Sequence, residues 1–310
     1  MSNIATRDAY GKALVKLGEI NENVVVLDAD LSKSTKTYDF SKAFPERFFN
    51  MGIAEQNLIG AACGLATAGK IPFASSFAMF ASGRAFEIIR NSVCYPKLNV
   101  KVCATHAGLT VGEDGASHES VEDISIMRAI PNMTVLVPAD GVEAEQMIFE
   151  AANTYGPMYV RLGRSGVPTV CESGYKFKIG KATELKSGKD VSIIACGIMV
   201  NEALIAANEL ASEGIDARVI NMSTIKPIDR EMIIKAAKET KAIVTAEEHS
   251  IIGGLGSAVS EVVTEECPVI VKKVGVKDVF GESGTPSALL EKYGLTAKDI
   301  VKAVKEALNE

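Results

Sequence analysis

The sequence predicts an α/β protein of two domains, each a largely parallel sheet covered by helices. Three observations carry that reading. Short β-branched runs such as VVVLDAD (24–30) alternate with helical patterns through the first half. The rhythm breaks over 165–190, where Gly, Ser and Lys gather, and it restarts at VSIIACG (191–197). Runs without polar alternation are strands buried on both faces, which is the situation in a parallel sheet flanked by helices. A chain of 310 residues also exceeds what one hydrophobic core usually organises. The predicted division is 1–165, a linker over 166–185, and 186–310.

In the first half the strands expected are 24–30, 71–76, 100–106, 133–139 and 158–163. They are short, apolar and rich in Val and Ile, too brief for stable helices. Helical patterns lie between them at 6–18, 54–68, 78–92 and 141–154. The stretch 165–190 reads as a linker with one hairpin. In the second half, strands are expected at 191–197, 216–221, 241–248 and 268–276, with a helix over 199–213 ended by Gly214.

Composition narrows the function classes. Apolar residues make up 47% and charged residues 23%, as in ordinary globular proteins. The net charge of -6 and the absence of a long basic run argue against nucleic acid and anionic membranes as partners. No apolar run is long enough to cross a bilayer. The opening MSNIATRDAYGKAL does not read as a secretory signal. The six cysteines are scattered and form no C-x-x-C pair, which predicts reduced thiols, no zinc site and a cytoplasmic setting.

In open α/β sheets, ligands bind beyond the carboxyl ends of the strands. Applied here, that rule gathers one set of polar and aromatic residues. Strand 24–28 leads to Asp30, 47–52 leads to Glu55, and 71–76 leads to Phe77 and Phe80. Strand 100–104 leads into THAGLTVGEDGASHE (105–119), which holds two of the three histidines, His106 and His118, together with Asp114. Strand 158–162 leads to Arg164. Convergence of such groups at one sheet edge is the pattern of an active site.

Each residue also has a plain reading. Glu55 in a first helical turn simply complements the helix dipole. Its neighbours, however, are apolar or small, so its carboxyl is expected to be poorly hydrated, to have a raised pKa, and to hold or pass a proton. Phe77 and Phe80, three apart, are either core residues of one helix face or a platform for a flat ligand. The 12-residue gap between His106 and His118 fits no short zinc pattern, and contact with a hydroxylated or phosphorylated substrate fits better. Arg7 reads as a first-turn residue after an N-cap Thr6, and Arg164 as a linker salt-bridge partner. The stretch IIGGLGSA (251–258) lacks the dinucleotide spacing and reads as a tight turn, and His249 is assigned no chemistry.

These residues bring a family into view. The chain resembles the C-terminal half of transketolase, a thiamine diphosphate enzyme, over its full length. The similarity lies in MGIAEQN (51–57), THAGLTVGEDGASHE, PNMTVLVPADGVEA (131–144) and RLGRSGVP (161–168). It implies a pyrimidine-binding domain over 1–165 followed by the family's C-terminal domain. By position, Glu55 would hydrogen-bond a ring nitrogen of the cofactor's aminopyrimidine and share its proton with it. Phe80 would stack on that ring, Phe77 would line the pocket, and Asp30 would lie toward the thiazolium. His106 would bind substrate phosphate with Arg7, Ser34 and Arg164. Asp114 and His118 would hydrogen-bond sugar hydroxyls. The reaction implied is transfer of a two-carbon ketol unit from a ketose phosphate to an aldose phosphate.

Two departures matter. Position 83 is Gly where many members carry a third aromatic, and no G-D-G motif occurs, the nearest strings being EDG (113–115) and ADG (139–141). The family holds the diphosphate through a metal at that motif, so no residue here is assigned to a metal. The resemblance therefore implies an N-terminal transketolase subunit as partner, two copies of each chain, and Mg²⁺ or another divalent cation held by that partner. The second half would serve dimerisation and packing. Two alternatives stand beside this reading. One is the beta subunit of a 2-oxoacid dehydrogenase decarboxylase component, against which the 105–119 loop and Arg7 argue. The other is a non-catalytic fold relative acting as a partner subunit, against which Glu55, Asp114 and His118 argue.

Overall fold

The computed structural model describes residues 3–171 and 174–309. In chain order the first half runs β1 (Ile4–Ala5), α1 (Thr6–Ile20), β2 (Val24–Asp28), α2 (Ser32–Thr35), α3 (Tyr38–Ala43), β3 (Phe48–Asn50), α4 (Glu55–Thr67) and β4 (Ile71–Phe77). Helical turns follow, with the one-turn α5 (Phe86–Ile88) between two π-type stretches, Met79–Arg84 and Ile89–Cys94. Then come β5 (Lys101–Thr105), α6 (Asp123–Ala129), β6 (Thr134–Leu136), α7 (Gly141–Asn153), β7 (Met158–Arg161) and β8 (Gly166–Val167). The second half runs β9 (Thr183–Lys186), β10 (Val191–Ala195), α8 (Met199–Ser212), β11 (Ala217–Asn221), β12 (Thr224–Lys226), α9 (Arg230–Glu239), β13 (Ala242–Ser250), α10 (Leu255–Glu266), β14 (Ile270–Val276), α11 (Pro286–Lys292) and α12 (Ala297–Leu308).

The continuous apolar runs do form parallel strands covered on both faces. One sheet has the order β12-β6-β7-β5-β4-β2-β3 and the other β14-β13-β10-β11-β9. In β2, Val24 and Val26 point toward α1 and α7, into the cluster with Tyr10, Leu14 and Ile148. Val25 and Leu27 point the other way, against Leu58 and Ile59 of α4. Each such fully buried Val or Leu contributes about 1.5–3 kcal/mol, so a one-residue slip of β2 would be costly. The second sheet is built alike, with Val191 and Ile193 facing α8 and α12 and Ile194 facing α10. The cluster around Leu58 continues into Ile194, Ile220 and Leu255, so one apolar core crosses both halves.

Four local expectations change. The hairpin over 165–190 does not form among the described residues: β8 pairs antiparallel with β1, and β9 joins β11 in the second sheet. Backbone groups there find partners at existing edges, and Asp140 accepts hydrogen bonds from the Val170 and Cys171 amides. The helix expected over 78–92 is mostly π-type, a geometry that recurs at functional sites. Thr6 is the first residue of α1 rather than its N-cap, and its hydroxyl accepts from the Gly163 amide. Finally, β12 comes from the second half yet pairs antiparallel with β6 of the first sheet.

The six cysteines are free thiols, five of them buried. Among the described residues no helix is long and apolar enough to cross a membrane.

Candidate active site

The sharp return from β3 into α4 passes Gly52 at φ +68 and places Glu55 in the first helical turn. The Glu55 side chain is only 1% exposed. The Ser76 hydroxyl, at the end of β4, donates to Oε1 at 3.0 Å. Arg84 donates from Nη1 to Oε2 at 2.7 Å. The burial expected of this carboxyl is present, but the isolation is not, because a guanidinium lies on it. Arg84 also sits over the Phe80 ring, 4.8 Å from its centroid. The sequence reading missed both partners. Arg84 lies four residues after Phe80 on a helical stretch, which is the signal that put it on the same face.

Phe77 and Phe80 lie nearly parallel, with centroids 6.1 Å apart and an interplanar angle of 18°. The His106 imidazole stacks on Phe77 at 3.8 Å, and His118 meets the Phe80 ring edge-on at 5.2 Å. Phe77 is buried and partly covered by His106, while Phe80 keeps more of its surface. Four aromatic groups thus form one box beside Glu55.

From the box a polar chain leads to a cluster of cations. Arg7 Nη1 lies 2.9 Å from His106 Nε2 and donates to the Ser34 carbonyl at 3.0 Å. Arginine only donates, so Nε2 accepts, and the Nδ1–H donates to the Thr105 hydroxyl at 2.9 Å. Burial, then Arg7, Arg164, His118 and Lys36, push the His106 imidazole down from 6.5 to about 3. His106 is therefore neutral with both nitrogens engaged, and it orients Arg7 instead of offering a free donor to an anion. Ser34 takes part through its carbonyl. Arg7 Nε is buried without a partner, and burial together with nearby Arg164 lowers the Arg7 pKa despite Asp8. Such an under-compensated cluster suits an anion.

Arg164 bonds the Val111 carbonyl and lies 3.4 Å from Glu113 and 3.7 Å from Asp114. His118 Nδ1 lies 3.0 Å from the Ser117 hydroxyl. Asp30 stands apart from these contacts: it is exposed, at φ +65, and accepts from Asn50 Nδ2 at 2.8 Å. Among the described residues no group of three or more His, Cys, Asp or Glu side chains is placed to hold a metal ion.

Comparison with known proteins decides the family. The profile described as "Transketolase, pyrimidine binding domain" matches residues 2–169, and "Transketolase, C-terminal domain" matches 180–300. The chain belongs to the transketolase family. It is 54% identical over 307 residues to a transketolase C-terminal section of Methanocaldococcus jannaschii, covering 98% of this chain and 96% of that protein. A 6-deoxy-6-sulfo-D-fructose transketolase subunit of Clostridium sp. (strain MSTE9) is 46% identical, with 97% and 93% covered. A solved structure described as "Split gene transketolase, inactive beta4 tetramer" is 65% identical, superposes with a TM-score of 0.93, and matches over 99% of both chains. Human transketolase is 40% identical over 306 residues, which take up 49% of its length. The family is one of thiamine diphosphate-dependent transferases, and this chain corresponds to its C-terminal part.

In this transketolase-family chain the 105–119 loop is held from the second half, which the sequence did not reveal. Glu248 of β13 accepts from the Thr110 amide at 2.6 Å. Gly112 and Gly115, at φ +83 and +76, let the loop approach the 283–286 segment, and a Cβ on Gly115 would come within 2.6 Å of the Ser283 hydroxyl. Beneath the loop, Arg161 forms a buried ion pair with Asp123 at 2.8 Å and donates to the Glu248 carbonyl at 2.9 Å. Glu119 is buried; burial, then Glu248, push it up to about 7. Burial also raises Glu248 to about 6, although Arg161 opposes the effect. His249 is fully buried, with Nδ1 at 2.8 Å from the Ser250 carbonyl.

Proposed function

We propose that this chain is one component of a two-component transketolase. It would transfer a two-carbon ketol unit from a ketose phosphate to an aldose phosphate once joined by a polypeptide that holds the cofactor's diphosphate with Mg²⁺ or another divalent cation. Residues 1–165 form the pyrimidine-binding part, 166–185 the connection, and 186–310 the part that braces the substrate loop. Two copies of each chain make the assembly. The observation that carries this reading is the buried Glu55 carboxylate, set beside Phe80 and within one sheet edge of the Arg7–His106 cluster. The "section", "subunit" and "split gene" wording of the relatives supports a separate partner.

The residues present fit the pyrimidine end of thiamine diphosphate. A water-shielded carboxyl meets a ring nitrogen, and a partly exposed Phe80 offers a face. Among the described residues no group of three or more His, Cys, Asp or Glu side chains is placed to hold a metal ion, and the metal and diphosphate are assigned to the partner in this reading. When bound, the cofactor supplies the carbon nucleophile that carries the two-carbon unit. Glu55 presents its carboxyl to the ring and holds or passes the proton there. Phe80 supports the ring, with Phe77 behind it, and Asp30 lies on the thiazolium side. Arg7 and Arg164, beside the Ser34 carbonyl, pair with the substrate's terminal anion, and His106 keeps Arg7 aimed. Asp114 and His118 hydrogen-bond sugar hydroxyls, so a substrate lacking them leaves polar groups unpaired. The pocket reads that anion by charge, which admits a sulfonate as well as a phosphate.

Co-expression with a partner carrying a G-D-G motif, followed by ketol-transfer and 2-oxoacid decarboxylation assays, tests the reading. Ketol transfer by the complex alone is expected, and Glu55→Gln is expected to lower it by about 10²–10⁴-fold without loss of folding. Near-normal turnover of that variant removes Glu55 from the mechanism, and oxoacid decarboxylation without ketol transfer favours the decarboxylase subunit.

A further inference from the structure

Glu55 and Phe80 are both engaged already, and by one side chain. Arg84 holds Glu55 Oε2 at 2.7 Å and covers Phe80 at 4.8 Å. These are the two contacts that the pyrimidine reading gives to the cofactor ring. A guanidinium is planar, cationic and a donor, and it stacks on aromatic faces. An aminopyrimidine is also planar and stacks, so the two compete for one carboxylate oxygen and one aromatic ring. The competitors differ in how they are anchored. Glu55 is 1% exposed and Arg84 is 48% exposed, so Arg84 is the group that can withdraw into water. Arg84 also ends the π-type stretch Met79–Arg84, where the backbone departs from regular helix geometry.

We infer that Arg84 is a positioning residue that occupies Glu55 Oε2 and the Phe80 ring until the cofactor arrives and then yields both to the pyrimidine ring. The inference rests on the pyrimidine reading of the site. Seating the ring therefore costs the Arg84–Glu55 bond and the Arg84–Phe80 stack, and a side chain at position 84 that makes neither contact leaves both groups open to the ring.

The test is calorimetric titration of thiamine diphosphate with Mg²⁺ into the two-chain complex. Wild type, Arg84→Met, Arg84→Lys and Glu55→Gln are compared. Arg84→Met, which loses the hydrogen bond to Glu55, should bind about tenfold more tightly. Arg84→Lys, which keeps a cation beside Glu55, should bind close to wild type and serves as the folding control. Weaker or unchanged binding by Arg84→Met overturns the inference. If Glu55→Gln and wild type bind with equal affinity, the pyrimidine reading itself is what fails.

Discussion

Replacing Glu119 with Gln should stabilise the protein in alkaline solution and leave it unchanged in acid. Glu119 is buried on the 105–119 loop, facing Glu248 and Glu282. Burial first, and these acids second, raise it from 4.5 to about 7; the nearby Glu282 backbone only softens the effect. The unfolded chain gives up this proton near 4.5 and the folded chain near 7. Stability is thus intact below 4.5, declines through that window, and stays lower above it. The full shift corresponds to at most ~3.4 kcal/mol. Solvent screening reduces this figure, so about 1–2 kcal/mol is expected. Glutamine removes the charge and offers an amide that can donate to Glu248. Denaturant unfolding near pH 5 and near pH 8 reads the effect as a shift in midpoint. A variant that is destabilised near pH 8, or shifted equally at both, refutes the assignment.

Two further predictions concern neighbouring groups. Arg161→Met should cost about 3–5 kcal/mol by denaturant unfolding, because it leaves the buried Asp123 charge unpaired; a loss below about 1 kcal/mol contradicts the buried ion pair. His106 resists protonation until about 3, whereas the unfolded imidazole takes its proton near 6.5, so stability is full above 6.5 and falls as pH drops toward 3. His106→Gln should flatten that acid decline, and an unchanged slope would mean that His106 is solvated.

How much of this was legible depends on the range over which each feature is determined. The buried parallel strands β2, β4, β5, β10 and β13 announce themselves, because a strand apolar on both faces leaves a run that neighbours cannot disguise. The edge strands β8, β9 and β12 do not. They are two to four residues long and owe their pairing to an edge offered from far away in the sequence. The π-type stretches were also invisible, since six residues are too few to separate a wider turn from an α-helical period. At the site, the rule of strand ends gathered Glu55, Phe80, His106 and Arg164, because topology alone brings strand ends together. The rule says which residues meet, not what charge each carries there. The neutrality of His106 follows from its burial first and then from Arg7, 99 positions away, and the pairing of Glu55 from Arg84, 29 positions away.

The same reasoning bears on why the second half carries no candidate catalytic residue and yet matters to the site. The loop 105–119 needs its backbone donors satisfied and its shape held, and its own residues do this only in part. Thr110 gives its amide to Glu248, Gly112 and Gly115 are pressed by the 283–286 segment, and Arg161 ties Ser120 to Glu248. All three supports depend on β13 or the segment before α11. β12 adds a strand to the first sheet, and the core runs unbroken from Leu58 to Leu255. A cut between the halves would therefore strip the loop of its braces even if each sheet kept its own strands. The groups that bind and the groups that hold them in place lie on opposite sides of the 165–190 connection, so loop order should be lost together with the second half rather than independently of it.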